Sequence, residues 1–330
     1  MHSELAGGGA ARDVSGVTGY VDLQVNGYAG VDFNTDALTA ADLHRACVRL
    51  EADGVAAVLA TIITDDVDAM CRRLAAIARL REQDSLASRL VAGIHIEGPF
   101  INEAAGYRGA HPADAIRVAD AEAMKRLLDA AAGLTRIVTL APERDPDARV
   151  TRMLAAQGII VSGGHSDASI DDLRTAIDAG LTMFTHVGNG CPMQLHRHDN
   201  IIQRVLSLAP ELWLTFIGDG AHVPFVALGN YLKAAGYDRC IVVTDAIAPA
   251  GLGPGRYTLG RWDVVVDADM VPRAPDRSHF LGSAVTMQQS ADNLRRALNA
   301  PPAIVRQLTT ENPRRAIGLS TAFTPEPAAS

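Results

Sequence analysis

Eight apolar, β-branched segments recur along the chain with helix-forming stretches between them, and four of these segments end in a polar residue at a Gly- or Pro-rich turn. The sequence predicts strands over 19–26, 54–61, 91–97, 136–141, 158–163, 181–186, 212–218 and 240–245. Between them, 40–52, 67–82, 120–131, 168–179 and 224–235 place apolar residues three and four apart among good helix formers. Such βα alternation suits either a closed (β/α)8 TIM-like barrel or an open doubly wound sheet. No Gly-rich dinucleotide or P-loop fingerprint follows the first strand, and polar residues at several strand ends favour closure, so the expected fold is the barrel.

The four polar ends are Glu97 in VAGIHIEGPF, His165 in GIIVSGGHSD, His186 in LTMFTHVGNG and Asp245 in CIVVTDAIAP. A lone buried histidine is more often a hydrogen-bonded core residue than a ligand, and a strand-end Glu before Gly-Pro is often a turn former. Four such residues at the strand ends of one barrel reverse that balance, because those ends all open onto one face. One carboxylate and two imidazoles suit zinc with an open position for water, and the further carboxylate at 245 can handle that water's protons. The pattern reads as a hydrolase. His95 lies two residues before Glu97, on the same side but deeper, where a supporting or packing role is as reasonable as ligation.

The bulk composition narrows the partners. At 330 residues, 48% hydrophobic and 21% charged, the chain can bury one large core. A net charge of −8 without a dense basic run gives no footprint for nucleic acid or an anionic membrane. Cys47, Cys71, Cys191 and Cys240 are scattered without a CxxC pair, and the N-terminus has no apolar signal core, so free thiols and a cytoplasmic location are expected. Residues 1–17 and 320–330 read as loose ends around a barrel over 18–319. The stretch 251–276 reads as a β excursion, a hairpin or flap over the site. A helix beginning with Ser283 as cap follows it, and then a second helix from PPAIVRQ onward.

DLQVNG, HIEGPF, GAHP, TLAPE, GGHS, THVGN, DGAHV, TDAIAPAG, LGSAVTM and NPRRAIG occur in order, and the series resembles the N-acetylglucosamine-6-phosphate deacetylase family of the amidohydrolase superfamily from about Gly19 to Leu319. The resemblance implies that Glu97, His165 and His186 hold one catalytic divalent metal, usually zinc, and that Asp245 is the acid/base. It makes His111 of GAHP an oxyanion partner that polarises the carbonyl. Many amidohydrolases carry HxH on the first strand for a second metal; here Gln24 and Asn26 stand there, which implies a mononuclear site with these amides bonding to water near the ion. Asp22 is expected to support the strand. Asn189, Gly190, Arg197 and His222 align with positions that bind the sugar and its phosphate, including through the backbone N–H groups of Asn189 and Gly190.

Two departures accompany the resemblance. The segment NGCPMQLHRHDN differs from the family's usual text, and Asp199 puts a negative charge beside the expected phosphate position. A different N-acyl substrate is therefore an alternative to the N-acetylated amino sugar, and His196 and His198 are either an exposed pair or ligands. The small β-sandwich of the family is expected to be reduced or absent, which makes a catalytically silent scaffold a further alternative and a homodimer an open expectation.

Overall fold

A computed structural model describes residues 19–319; residues 1–18, which include the segment 1–17, and the segment 320–330 lie outside the described residues. Eight parallel strands follow one another in sequence order: β1 Tyr20–Val25, β2 Val55–Ile63, β3 Val91–Glu97, β4 Thr135–Leu140, β5 Ile160–Gly163, β6 Leu181–Phe184, β7 Trp213–Ile217 and β8 Cys240–Val243. The circle closes where Val25 bridges Ala246 in parallel and Asn26 N–H donates to Ala246 O at 2.7 Å. Helices between the strands include α1 Ala40–Ala52 and α2 Val67–Glu82, whose starts are fixed by the side chains of Thr39 and Asp66 accepting from backbone N–H groups. The predicted barrel is the observed fold. Several strands end earlier than the sequence pattern suggests: β6 and β8 stop two residues short of His186 and Asp245.

Alternation along the strands sorts the interior into layers. Val21, Leu23, Leu59, Ile137, Met183, Ile217, Ile241 and Val243 form a buried apolar cluster inside the barrel, with Ala316, Ile317 and Leu319 packed against it. The same faces also carry His95, Thr139, Ser162, Thr185 and Thr215, all buried. The larger apolar shell lies between sheet and helices, with Leu43 and Leu50 of α1 and Met70, Leu74 and Ile77 of α2 within it.

The expected β excursion is a three-stranded antiparallel sheet, β9 Gly255–Leu259, β10 Trp262–Val266 and β11 Pro272–Arg273. Leu259, Val264, Val266, Ala274 and Leu281 press it onto Ile63 and Ile247 at the barrel mouth. Its β9–β10 turn is pinned by Gly260 N–H donating to Asp32 Oδ2 at 2.7 Å and by Arg261 pairing with Asp65 and with Asp114 at 2.9 Å. Apart from this sheet and the two-residue ladder of Gly27–Tyr28 with Val31–Asp32, no strand lies outside the barrel among the described residues, so no β-sandwich is present there.

The helix after the flap is Met287–Ala297, capped by Thr286 with Gln289 in a reciprocal capping box. Ser283, expected as the cap, instead donates its hydroxyl to Thr244 O and its backbone bridges Ala246. The last predicted helix is interrupted: Pro302–Arg306 passes through a π turn, Gln307–Glu311, into Asn312–Ala316. Pro313 has no N–H to continue the α pattern, and Asn312 Nδ2 is drawn to Tyr237 O and Cys240 O, each at 2.7 Å. All four cysteines are free thiols, and no helix among the described residues is long and apolar enough to cross a membrane.

Candidate active site

Glu97 is the last residue of β3, while His165, His186 and Asp245 each stand two residues past β5, β6 and β8. Those three have φ of 51°, 32° and 53°. A non-glycine residue in this left-handed region costs about 1–2 kcal/mol, and such strain persists where surrounding structure fixes it. The apolar runs bring the strands to the mouth, and the left-handed residues end the pleat just where side chains enter one cavity of about 580 Å³.

Glu97, His165 and His186 offer one ligand atom each, all within 4.8 Å of one another and all buried. His165 Nδ1 donates to Tyr107 O at 2.7 Å, since a carbonyl can only accept, so its Nε2 carries the lone pair. That Nε2 and His186 Nε2 face Glu97 Oε1 at 3.2 and 2.9 Å. Lone pairs from two imidazoles and a carboxylate converging in a buried spot are the donor set that a divalent cation satisfies. Burial would raise the Glu97 carboxyl, but where no cation stands between them and the imidazoles are protonated, the hydrogen bonds and charges of His165 and His186 hold it well below the usual range.

Support for these ligands comes from all sides. Gln24 Nε2 donates to both oxygens of Glu97, at 3.2 and 3.1 Å, and Asn26 Nδ2 donates to Asp245 Oδ1 at 2.7 Å. Their donors hold the two carboxylates directly, leaving buried Asn26 Oδ1 without a protein partner. Asp22 accepts from Thr244 and Gln24 N–H, tying β1 to the end of β8. Beneath the site, His95 Nδ1 donates to Leu23 O at 3.1 Å, so its Nε2 accepts from Thr139. Thr139 then accepts from Thr185, and Thr185 from Ser162, each at 2.7 Å, a chain whose direction is fixed at every member. His95 is thus a supporting residue with no free nitrogen, and burial pulls its pKa down to about 4.

The His165 ring is held between two glycines. A Cβ on Gly190 would lie 3.0 Å from His165 Nδ1, and one on Gly109 3.4 Å from its Cε1. The His111 ring packs edge-on against it with centroids 4.4 Å apart. His111 Nδ1 contacts Thr64 Oγ1 at 2.7 Å, and Thr64 gives its hydroxyl proton to Glu97 O at 3.2 Å. Gly98 must be glycine here, because a Cβ would collide with that hydroxyl. Burial, with the His165 charge beside it, lowers His111 to about 3.

Asp245 is raised to about 7 by burial and by the charge of Glu97, against the opposing pull of His186, His222 and Asn26. A carboxyl that exchanges its proton near neutrality is suited to acid/base work. His222 is oriented by Asp219, which accepts from its Nδ1 at 2.7 Å and from the backbone N–H groups of Ala221 and His222. Burial pulls the His222 pKa down, but Asp219 and the charge of Asp245 outweigh it and leave it raised.

Of the substrate positions read from the sequence, Asn189, Gly190 and His222 line the cavity and Arg197 does not. Asn189 N–H is already given to His186 O at 2.9 Å, so it is not a free donor as expected. Arg197 is exposed. The altered loop serves the next helix, Ile201–Ser207: Asn200 accepts from Gln203 N–H, and Asp199 pairs with Arg204 at 2.6 Å. His196 and His198 are exposed, and His196 Nδ1 accepts from Asp199 N–H. The cavity's guanidinium groups are Arg108 and Arg277. These two, Thr64, and the carbonyl of Tyr107 were missed from sequence; so was Glu143 of TLAPE, which accepts from Asn102, Ser166 and Asp167 and anchors the loop after His165.

A parallel eight-stranded barrel with a carboxylate, two imidazoles and a near-neutral aspartate at its C-terminal mouth defines an amidohydrolase-type enzyme that uses a divalent metal. No family model matches the chain. The N-acetylglucosamine-6-phosphate deacetylase of Bacillus subtilis (strain 168) is 31% identical over 304 residues, 91% of this chain and 75% of that protein. The N-acetylgalactosamine-6-phosphate deacetylase of Escherichia coli O157:H7 is 29% identical over 91% of this chain and 77% of its own length. A solved variant of the Mycobacterium smegmatis N-acetyl-D-glucosamine-6-phosphate deacetylase, in complex with N-acetyl-D-glucosamine 6-phosphate, superposes with a TM-score of 0.83 at 30% identity, covering 92% of this chain and 78% of that one. The chain belongs to the N-acetylglucosamine-6-phosphate deacetylase family.

Proposed function

We propose that the protein hydrolyses the acetamide of N-acetylglucosamine 6-phosphate to the free amine and acetate, using one zinc ion held by Glu97, His165 and His186. The observation that carries this reading is the convergence of those three donors beside Asp245 at the mouth of a barrel. A zinc ion there supplies Lewis acidity, polarising the carbonyl and acidifying water. Asp245, raised to about 7 and oriented by Asn26, takes the proton of the attacking water and returns one to the departing nitrogen. His111, which lines the cavity, serves as the oxyanion partner that polarises the substrate's carbonyl, and Asn189, Gly190 and His222 shape the sugar pocket from the walls they line. Gln24 and His95 keep their supporting roles.

The relative from Escherichia coli that acts on the galacto epimer makes the sugar itself a point to test. Amine release by the zinc-loaded protein would be followed from N-acetylglucosamine 6-phosphate, its galacto epimer and the sugar without phosphate. Preference for the phosphorylated gluco sugar is the expected result; turnover only of some other N-acyl compound would reject this substrate. The four free thiols fit work in the cytoplasm. A homodimer is the proposed assembly, supported by the exposed Met193 at the wall of the cavity, and sedimentation at one protomer's mass would reject it.

A further inference from the structure

The carbonyl that steers His165 belongs to an exposed turn. His165 Nδ1 donates to Tyr107 O at 2.7 Å, and the residues just before Tyr107, 103–106, are all exposed. A solvent-facing turn has little packing to hold an oxygen in place, yet the direction of His165 Nε2 depends on that oxygen. The turn is held instead by hydrogen bonds that run back to one carboxylate. Tyr107 N–H donates to Ala104 O at 3.1 Å, and Ala104 N–H to Asn102 Oδ1 at 2.9 Å. Asn102 gives its Nδ2 proton to Glu143 Oε1 and its backbone N–H to His165 O, each at 2.9 Å. From the other side, Asp167 N–H donates to Glu143 Oε1 at 2.7 Å and the Ser166 hydroxyl to Oε2 at 2.6 Å. Ser166 follows His165 in the chain, so the path returns to its start.

Glu143 stands in the 3-10 turn Pro142–Arg144 after β4 and is not among the residues that line the cavity. Three donors, from the loops after β3 and β5, converge on its two oxygens, and bonds to an ionised acceptor are roughly twice as strong as neutral ones. We propose that Glu143 is a positioning residue for the metal: by joining these two loops it fixes Tyr107 O against His165 Nδ1 and so aims Nε2 at the point shared with Glu97 and His186. This rests on the reading of those three residues as ligands of one divalent ion. The loop that carries Asn102 starts at Glu97 and the one that carries Ser166 starts at His165, so the same grip couples two ligands. It also accounts for the φ of 51° at His165, because Asn102 takes that residue's carbonyl and Glu143 takes the two residues that follow.

Wild type, Glu143→Ala and Glu143→Gln would be compared in two ways: zinc affinity by chelator competition, and the His165 Nδ1–H proton signal of the metal-free protein, identified by its absence in His165→Gln. Glu143→Ala releases all three donors; zinc affinity should fall on the order of 10–100-fold and the Nδ1–H signal should be lost to exchange with water. Glu143→Gln keeps an oxygen for Asn102 and Asp167 and an N–H for Ser166 Oγ, so it should recover most of both. Wild-type affinity with an intact signal in Glu143→Ala, or a Gln variant as impaired as the Ala one, would overturn the inference. Asn102→Ala cuts the path while leaving Ser166 and Asp167 on Glu143 and serves if Glu143→Ala does not fold: it too should lose the signal, and an intact signal there would overturn the inference. If wild type bound zinc no more tightly than Glu97→Ala, the reading of the metal site would fail, and the Nδ1–H signal would decide the inference alone.

Discussion

Gly190→Ala tests how the proposed metal ligands are positioned. Gly190 has φ of 60°, so an alanine there bears the left-handed penalty of about 1–2 kcal/mol before any contact is counted. Its Cβ would also sit 3.0, 3.2 and 3.3 Å from three atoms of the His165 ring. The ring has nowhere to yield: Nδ1 is tied to Tyr107 O at 2.7 Å, Gly109 closes on its Cε1, and the His111 and His186 rings pack edge-on at centroid distances of 4.4 and 4.8 Å. A shift of a few tenths of an ångström must therefore pass to Nε2, the ligand atom. Losing the support of a metal-bound histidine costs on the order of 10–100-fold in affinity. Zinc affinity, measured by chelator competition, is expected to fall by that range, while the melting temperature of the metal-free protein drops by roughly 2–3 °C. Unchanged affinity with an unchanged melting temperature would refute the claim that the glycines clamp His165.

Asp245→Asn should retain zinc and fold yet lose about 100- to 10,000-fold in kcat, the range of a general acid/base; full activity would reject its role. Glu97→Ala should lose the metal itself, seen as zinc absent after dialysis. In the metal-free protein, burial lifts Asp22 to about 6 against the hydrogen bonds of Thr244 and Gln24. Below pH about 4 folded and unfolded chains both hold that proton, and between about 4 and 6 only the folded chain does, so stability falls as pH rises through this window. Asp22→Asn should reduce that slope in urea titrations without abolishing it, because Asp32 and Asp245 are lifted in the same sense. Arg261→Ala removes the flap's pairs with Asp65 and Asp114, and faster amide exchange across 253–282 with a larger change in KM than in kcat is expected; unchanged exchange would show that Gly260 and the apolar contacts hold the flap alone.

The barrel was legible because each strand's run of apolar residues is local, and Glu97, His165, His186 and Asp245 were legible because they interrupt those runs at one end. Strand endings were less so: the left-handed turns at His165, His186 and Asp245 are set by tertiary packing, and nothing in GGHS or TDAI announces them. Arg197 read as a phosphate ligand from its alignment, yet the loop around it is spent on starting a helix through Asn200 and Asp199. Gln24 and Asn26 showed that a second metal lacks imidazoles, but only the fold reveals that their amides grip Glu97 and Asp245. Thr64 carries no sequence signal at all. Its meaning comes from Gly98, whose missing side chain lets the hydroxyl reach both Glu97 O and His111.

The central claim is that three converging ligands and one aspartate form a one-metal amide hydrolase. Titrating the metal-free protein with zinc, while measuring bound metal and acetate released from N-acetylglucosamine 6-phosphate in the same samples, tests it most directly. Both signals should rise together and level off at one ion per chain. Acetate release without metal, or a chain saturated with one zinc that releases none, would contradict it.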